Sequence, residues 1–78
     1  MRTFQDTDFQ IWETWVSSGE HGFSDRHPRI LFRCRTEPQA RARVVALAEG
    51  DEADAQRQVL EAGVDDLLAM LAKAQPVN

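Results

Sequence analysis

The chain has 78 residues and a formal net charge of −4, with 42% hydrophobic and 28% charged residues and a single cysteine, Cys34. A chain this short buries only about 60% of the surface that its unfolded form exposes, which leaves little scaffold for a deep catalytic cleft. One cysteine excludes the internal disulfides that a secreted domain of this size usually needs. Because it lacks a signal-peptide core and any apolar run near the roughly 20 residues of a membrane helix, we predict one small soluble domain over residues 1–78, cytoplasmic and without a membrane partner.

The first predicted element is a β-hairpin with strands near residues 2–5 and 9–16. The Asp-Thr-Asp sequence at 6–8 favours a turn, and the Phe, Ile, Trp, Thr and Val that follow are strand formers. In a strand, Trp12 and Trp15 point to opposite faces, so one is predicted for the core and the other for the outer face. A helix that carries both tryptophans on one face is the alternative.

Residues 17–29 are predicted to form a loop, with Phe23 as the side chain that packs onto the core. The loop contains His21 and His27, which together with Cys34 are residue types that hold zinc or form a nucleophile–base pair. Their spacing matches no short zinc motif, and no phosphate-loop or hydrolase motif occurs. We therefore predict no catalytic, metal-binding or cofactor-binding residue, with a thiol-based sensor as the remote alternative.

Residues 30–47 predict a second hairpin, because apolar residues alternate with arginine in both arms. The link between the arms contains Pro38 and is short enough for a hairpin loop. Pairing Arg35 with Arg41 makes one face wholly apolar, and a slip of one residue would mix the two faces. A helix that begins after Pro38 is the alternative.

This register places four arginines on one sheet face, where like charges that lie opposite each other cost a few tenths to about 1 kcal/mol per pair. An anionic partner would offset that cost. Alternatively, the arginines are solvated, or they pair with Glu13 and with acids of residues 49–66. Together with the two tryptophans they form the predicted partner-binding set: Arg33, Arg35, Arg41, Arg43, Trp12 and Trp15.

Residues 50–76 predict two helices. Asp51 is a natural N-cap for the first helix, and Gly63 is predicted to follow its C-terminus. One of the aspartates at 65–66 is predicted to cap the second helix, which Pro76 would stop. The predicted fold is therefore α+β, with a small antiparallel meander of three to four strands followed by two C-terminal helices on one face.

The charge is unevenly distributed along the chain. Residues 1–47 carry seven Arg and six acidic residues, a balance of +1, whereas residues 48–78 carry seven acidic residues against Arg57 and Lys73, a balance of −5. The arginine-bearing face and this asymmetry predict a non-enzymatic interaction or regulatory module that binds an acidic protein surface, with a homodimer as one version. The alternative is a nucleic-acid-binding sheet that uses Arg and Trp, against which the acidic total counts.

Overall fold

The computed structural model describes residues 2–18, 28–47 and 50–77. Five antiparallel strands form one sheet in the order β1-β2-β3-β4-β5, and two helices connect the fourth strand to the fifth. The elements in chain order are β1 (Arg2–Gln5), β2 (Ile11–Ser18), β3 (Pro28–Cys34), β4 (Arg43–Ala46), α1 (Glu52–Glu61), α2 (Val64–Lys73) and β5 (Gln75–Pro76). The predicted α+β fold is confirmed, and the two-residue β5 adds a strand to the predicted meander.

The turn between β1 and β2 is organised by Asp6. Its Oδ1 accepts hydrogen bonds from the backbone N–H groups of Asp8 at 2.8 Å and Gln10 at 2.9 Å, and its own N–H donates to the Gln10 carbonyl. Phe9 completes the turn with a φ of 64°, a left-handed conformation that costs a bulky residue energy. The strand predicted near residues 9–16 is confirmed over the helical alternative, but it begins at Ile11 because Phe9 belongs to the turn. The loop predicted over residues 17–29 is wrong at both ends, since β2 continues to Ser18 and β3 begins at Pro28.

Both helices contribute to the core on one face of the sheet, which we call the helix-bearing face. Because successive side chains of β2 alternate between the two faces, Trp12 and Thr14 lie on this face. Glu13 and Trp15 lie on the opposite face, which we call the outer face. The largest contributors to the core are aromatic and aliphatic side chains: Phe4, Trp12, Ile30, Phe32, Val59, Leu67 and Leu71.

The first helix begins as the sequence predicts. The Asp51 side chain accepts from the Asp54 N–H at 2.9 Å, and the Asp54 side chain accepts from the Asp51 N–H. Gly63 follows the C-terminus of α1 as predicted, but it is extended, with a φ of −71°, rather than in the left-handed conformation of a C′ glycine. Only two residues separate the helices, so Gly63 is also the N-cap of α2. The prediction that an aspartate at 65–66 caps α2 is wrong, because both lie inside its first turn, where the helix dipole favours them.

The C-terminus of α1 is capped by a residue at the other end of the chain. The guanidinium of Arg2 donates to the carbonyl oxygens of Val59 at 2.9 Å and Leu60 at 3.4 Å, and also to that of Ala62. The last turn of α1 has no basic residue of its own. Arg2 therefore supplies the positive charge that a helix C-terminus favours, and it ties β1 to α1.

Candidate functional site

The pairing of β3 with β4 differs by one residue from the predicted register. Leu31 lies opposite Val44, and Phe32 lies opposite Arg43. Because residues opposite each other in an antiparallel pair share a face, Arg43 lies on the helix-bearing face with Phe32. The prediction that Arg33 and Arg43 face each other on one side of the sheet is wrong, and the predicted four-arginine face does not form.

The physical reason lies in the two adjacent valines of β4. The predicted register placed Val44 opposite Phe32 on the apolar face and Val45 opposite Leu31 on the arginine face. In the structure both valines are half-buried, with Val45 on the helix-bearing face and Val44 on the outer face opposite Leu31. Because one valine joins each face in either register, these two residues do not select the pairing.

On the outer face, three half-buried apolar side chains form a row across the sheet. Trp15 lies opposite Leu31 on β3, and Leu31 lies opposite Val44 on β4. The prediction that the two tryptophans separate is confirmed, because Trp12 is only 5% exposed on the helix-bearing face. Sequence reasoning missed Leu31 and Val44 as site residues. The alternation of Leu31 with Arg33 could have identified the first, whereas the second depends on the strand register.

Two of the predicted arginines lie beside this row. Arg33 is exposed and lies opposite Glu13 in the strand register. The Arg35 Nε is 3.1 Å from the Glu13 Oε1, so the predicted alternative of internal pairing is correct for Arg35. Arg29 is half-buried on the same face, opposite Ser17. In the described part of the chain, Arg33 forms no ion pair within 4 Å.

The other two predicted arginines line a cleft at one end of the helix-bearing face. The guanidinium carbon of Arg43 is 5.5 Å from the centroid of the Trp12 ring, a cation–π arrangement. Arg41, two residues earlier, is exposed. The cleft has a volume of about 260 Å³, and Trp12, Cys34 and Pro76 are among its lining residues. The arginine set is therefore divided into two pairs on opposite faces.

Cys34 is buried, with 1% of its surface exposed, and its Sγ is 3.2 Å from the Thr36 Oγ1. The histidines considered with it, His21 and His27, lie outside the described residues, as does Phe23. Among the described residues, no group of three or more His, Cys, Asp or Glu side chains could hold a metal ion.

The comparisons with known proteins place no family name on this geometry. No protein-family model, no curated protein and no solved structure matches the chain. Neither helix in the described ranges is long and apolar enough to cross a membrane. The candidate functional surfaces of the described residues are therefore those around the two arginine pairs.

Proposed function

We propose that this protein is a small, non-enzymatic interaction module that binds an acidic protein surface through the outer face of its sheet. The observation that carries the proposal is the row formed by Trp15, Leu31 and Val44 on the face opposite the helices, with Arg33 beside it. The row supplies apolar contact area, and the arginine supplies charge. This combination is typical of the centre of a protein–protein contact.

The outer face carries more large apolar side chains than a water-exposed sheet face usually does. Antiparallel sheets that face water on one side alternate apolar residues inward with polar residues outward. Here the outward positions include Ile11, Trp15, Leu31 and Val44, all of them half-buried. Large apolar side chains that lie together on a face without helices favour contact with another molecule.

The charge of the outer face favours an acidic partner. Beside the row, Arg33 and Arg35 lie against Glu13, so two positive charges and one negative charge give a balance of +1. A second copy that presents the same face would bring two positive surfaces together, which disfavours a sheet-to-sheet dimer. An acidic partner surface complements this face.

Self-association through unlike faces is a weaker alternative. The helices carry most of the exposed acidic residues, so a second copy has an acidic surface on its helical layer. A contact between the sheet of one copy and the helices of the next is heterologous and repeats without closing into a symmetric dimer. A separate acidic protein fits the outer face without that consequence.

The proposal can be tested by nuclear magnetic resonance with the 15N-labelled protein and two synthetic peptides. One peptide alternates Glu with Val, and the other alternates Lys with Val. The indole N–H resonances of Trp12 and Trp15 report on the two faces separately, because the two side chains lie on opposite sides of the sheet. We expect the acidic peptide to shift the Trp15 indole and the backbone of residues 29–33, with the Trp12 indole nearly unchanged.

Charge reversal on each layer provides the matched controls. Arg33→Glu should weaken binding of the acidic peptide at least about tenfold, whereas Arg57→Glu on the exposed side of α1 should leave it within about twofold. Equal shifts with both peptides, or no effect of Arg33→Glu, would contradict the proposal. A Trp15 shift with single-stranded DNA or RNA at low salt, but not with the acidic peptide, would instead support the nucleic-acid alternative.

A further inference from the structure

The cleft beside Trp12 has features that the proposed interaction surface does not use. It lies on the helix-bearing face, near the end of the sheet where β2 begins and β3 ends. Arg41 and Arg43 supply its positive charge, Gln10 and Glu37 supply polar groups, and Pro76 of β5 lies opposite Arg43 in the sheet. We call this the Arg41–Arg43 cleft.

Within the described part of the chain, the two guanidinium groups of this cleft have no carboxylate partner. Among the described residues, neither Arg41 nor Arg43 forms an ion pair within 4 Å. The acid that lines the cleft, Glu37, accepts a hydrogen bond from the Gln10 Nε2 at 2.8 Å. Two like charges thus line a volume of about 260 Å³, and an anion bound between them would lower their mutual repulsion.

The walls of the cleft are held in place by the fold. The Trp12 indole donates its N–H to the Asp6 Oδ2 at 2.8 Å, and its ring contacts the Arg43 guanidinium. The backbone of β5 pairs with β4, and the Val77 N–H donates to the Ala42 carbonyl at 2.8 Å, next to both arginines. Side chains held in this way lose less conformational entropy when they bind a ligand.

We propose that the Arg41–Arg43 cleft binds a phosphate group, as inorganic phosphate or as a small phosphate ester. Arginine presents a planar set of donors that matches phosphate oxygens, and two arginines match the roughly −1.5 to −2 charge of a phosphate monoester at neutral pH. A single carboxylate needs only one of the two guanidinium groups. The negative charge of Glu37 lowers the net positive charge of the cleft, so replacing Glu37 with a neutral residue should strengthen phosphate binding.

Titrations with inorganic phosphate, methyl phosphate and acetate at constant ionic strength test the proposal. The 15N-labelled protein reports on the cleft through the Arg41 and Arg43 Nε–H resonances and the Trp12 indole. We expect both phosphates to shift these signals saturably and acetate to be at least about tenfold weaker. Arg41→Gln and Arg43→Gln should each weaken phosphate binding about fivefold or more, and Glu37→Gln should strengthen it severalfold.

Two controls separate this site from general charge attraction and from the outer face. Arg33→Gln on the outer face and Arg57→Gln on α1 should leave phosphate affinity within about twofold. Equal binding of acetate and phosphate, or equal losses in all four arginine variants, would overturn the proposal. A response to inorganic phosphate alone would restrict the ligand to the free ion, and binding of methyl phosphate would extend it to esters. Failure of the acidic-peptide experiment would leave these outcomes unaffected, because the two surfaces lie on opposite faces.

Discussion

On the helix-bearing face, Trp12 is 5% exposed, donates its N–H to Asp6 and lies under the Arg43 guanidinium. On the outer face, Trp15 is half-buried in a row with Leu31, outside the hydrophobic core to which both helices contribute. Both faces therefore carry arginines near a tryptophan, but the surroundings differ. Whether a tryptophan near an arginine belongs to the core or to the surface therefore depends on which other elements pack against it.

The largest expected difference between the faces is in stability after loss of each tryptophan. Trp12→Ala should lower the free energy of unfolding by about 3–5 kcal/mol, because it removes a large core side chain and its bond to Asp6. Trp15→Ala should cost about 1 kcal/mol, because its ring is only half-buried. Urea denaturation followed by circular dichroism measures both. If Trp12→Ala does not fold, Trp12→Phe keeps an aromatic ring in the core and should still cost more than Trp15→Phe.

Two arginines on opposite faces provide the next comparison. Arg2→Ala should destabilise the protein by about 1.5 kcal/mol, because three carbonyl groups at the C-terminus of α1 lose a charged donor. Arg33→Ala should change stability by less than about 0.5 kcal/mol, as expected for an exposed side chain. Thermal and urea denaturation of both variants check this difference. A larger loss for Arg33→Ala than for Arg2→Ala would contradict the role assigned to Arg2.

A third comparison uses two threonines, and here the substitution in the core is expected to stabilise the protein. Thr14 is fully buried on the helix-bearing face, and within the described residues its Oγ1 has no hydrogen-bond partner. Thr14→Val should therefore raise the free energy of unfolding by about 1 kcal/mol, because it removes an unsatisfied buried hydroxyl. Thr3→Val on the exposed side of β1 should change it by less than about 0.5 kcal/mol. Destabilisation by Thr14→Val in urea denaturation would show that the hydroxyl has a partner in solution.

The smallest expected effect is the pH dependence contributed by Asp6. Three N–H groups, first that of the Trp12 indole, hold the pKa of Asp6 below its ordinary value of 3.8. Because the pKa of Asp6 is lower in the folded protein than in the unfolded chain, the ionised carboxylate stabilises the fold above about pH 3.8. This stabilisation is lost as the pH falls through the pKa of Asp6 in the folded protein.

The stability difference between the wild type and Asp6→Asn should therefore be largest near neutral pH and should narrow below pH 3.8. Urea denaturation at a series of pH values measures this difference. Asp8→Asn is the matched control, since only its backbone N–H contacts Asp6. A difference that stays constant with pH would show that the Asp6 carboxylate does not stabilise the turn by its charge.

Local sequence patterns correctly predicted those strands and helices whose formation depends on residues close together in the sequence. The alternation in residues 11–16 separated Trp12 from Trp15, and the acids after Gly50 identified the start of α1. The division of the arginines was not predictable in the same way. It depends on whether Val44 or Val45 joins the core, and both are valine, so the local pattern is the same in either register.

The sequence by itself determined the class of fold, the strand at Trp12 and Trp15, and the order of sheet and helices, because hydrophobic period and capping residues act over a few positions. Only the tertiary structure decided which arginines lie together. The register of β4 brought Arg43 to Trp12, and the folding back of the chain brought Arg2 to α1 and β5 to β4. These contacts join residues far apart in the chain, so their geometry follows from packing of the whole domain rather than from any local pattern.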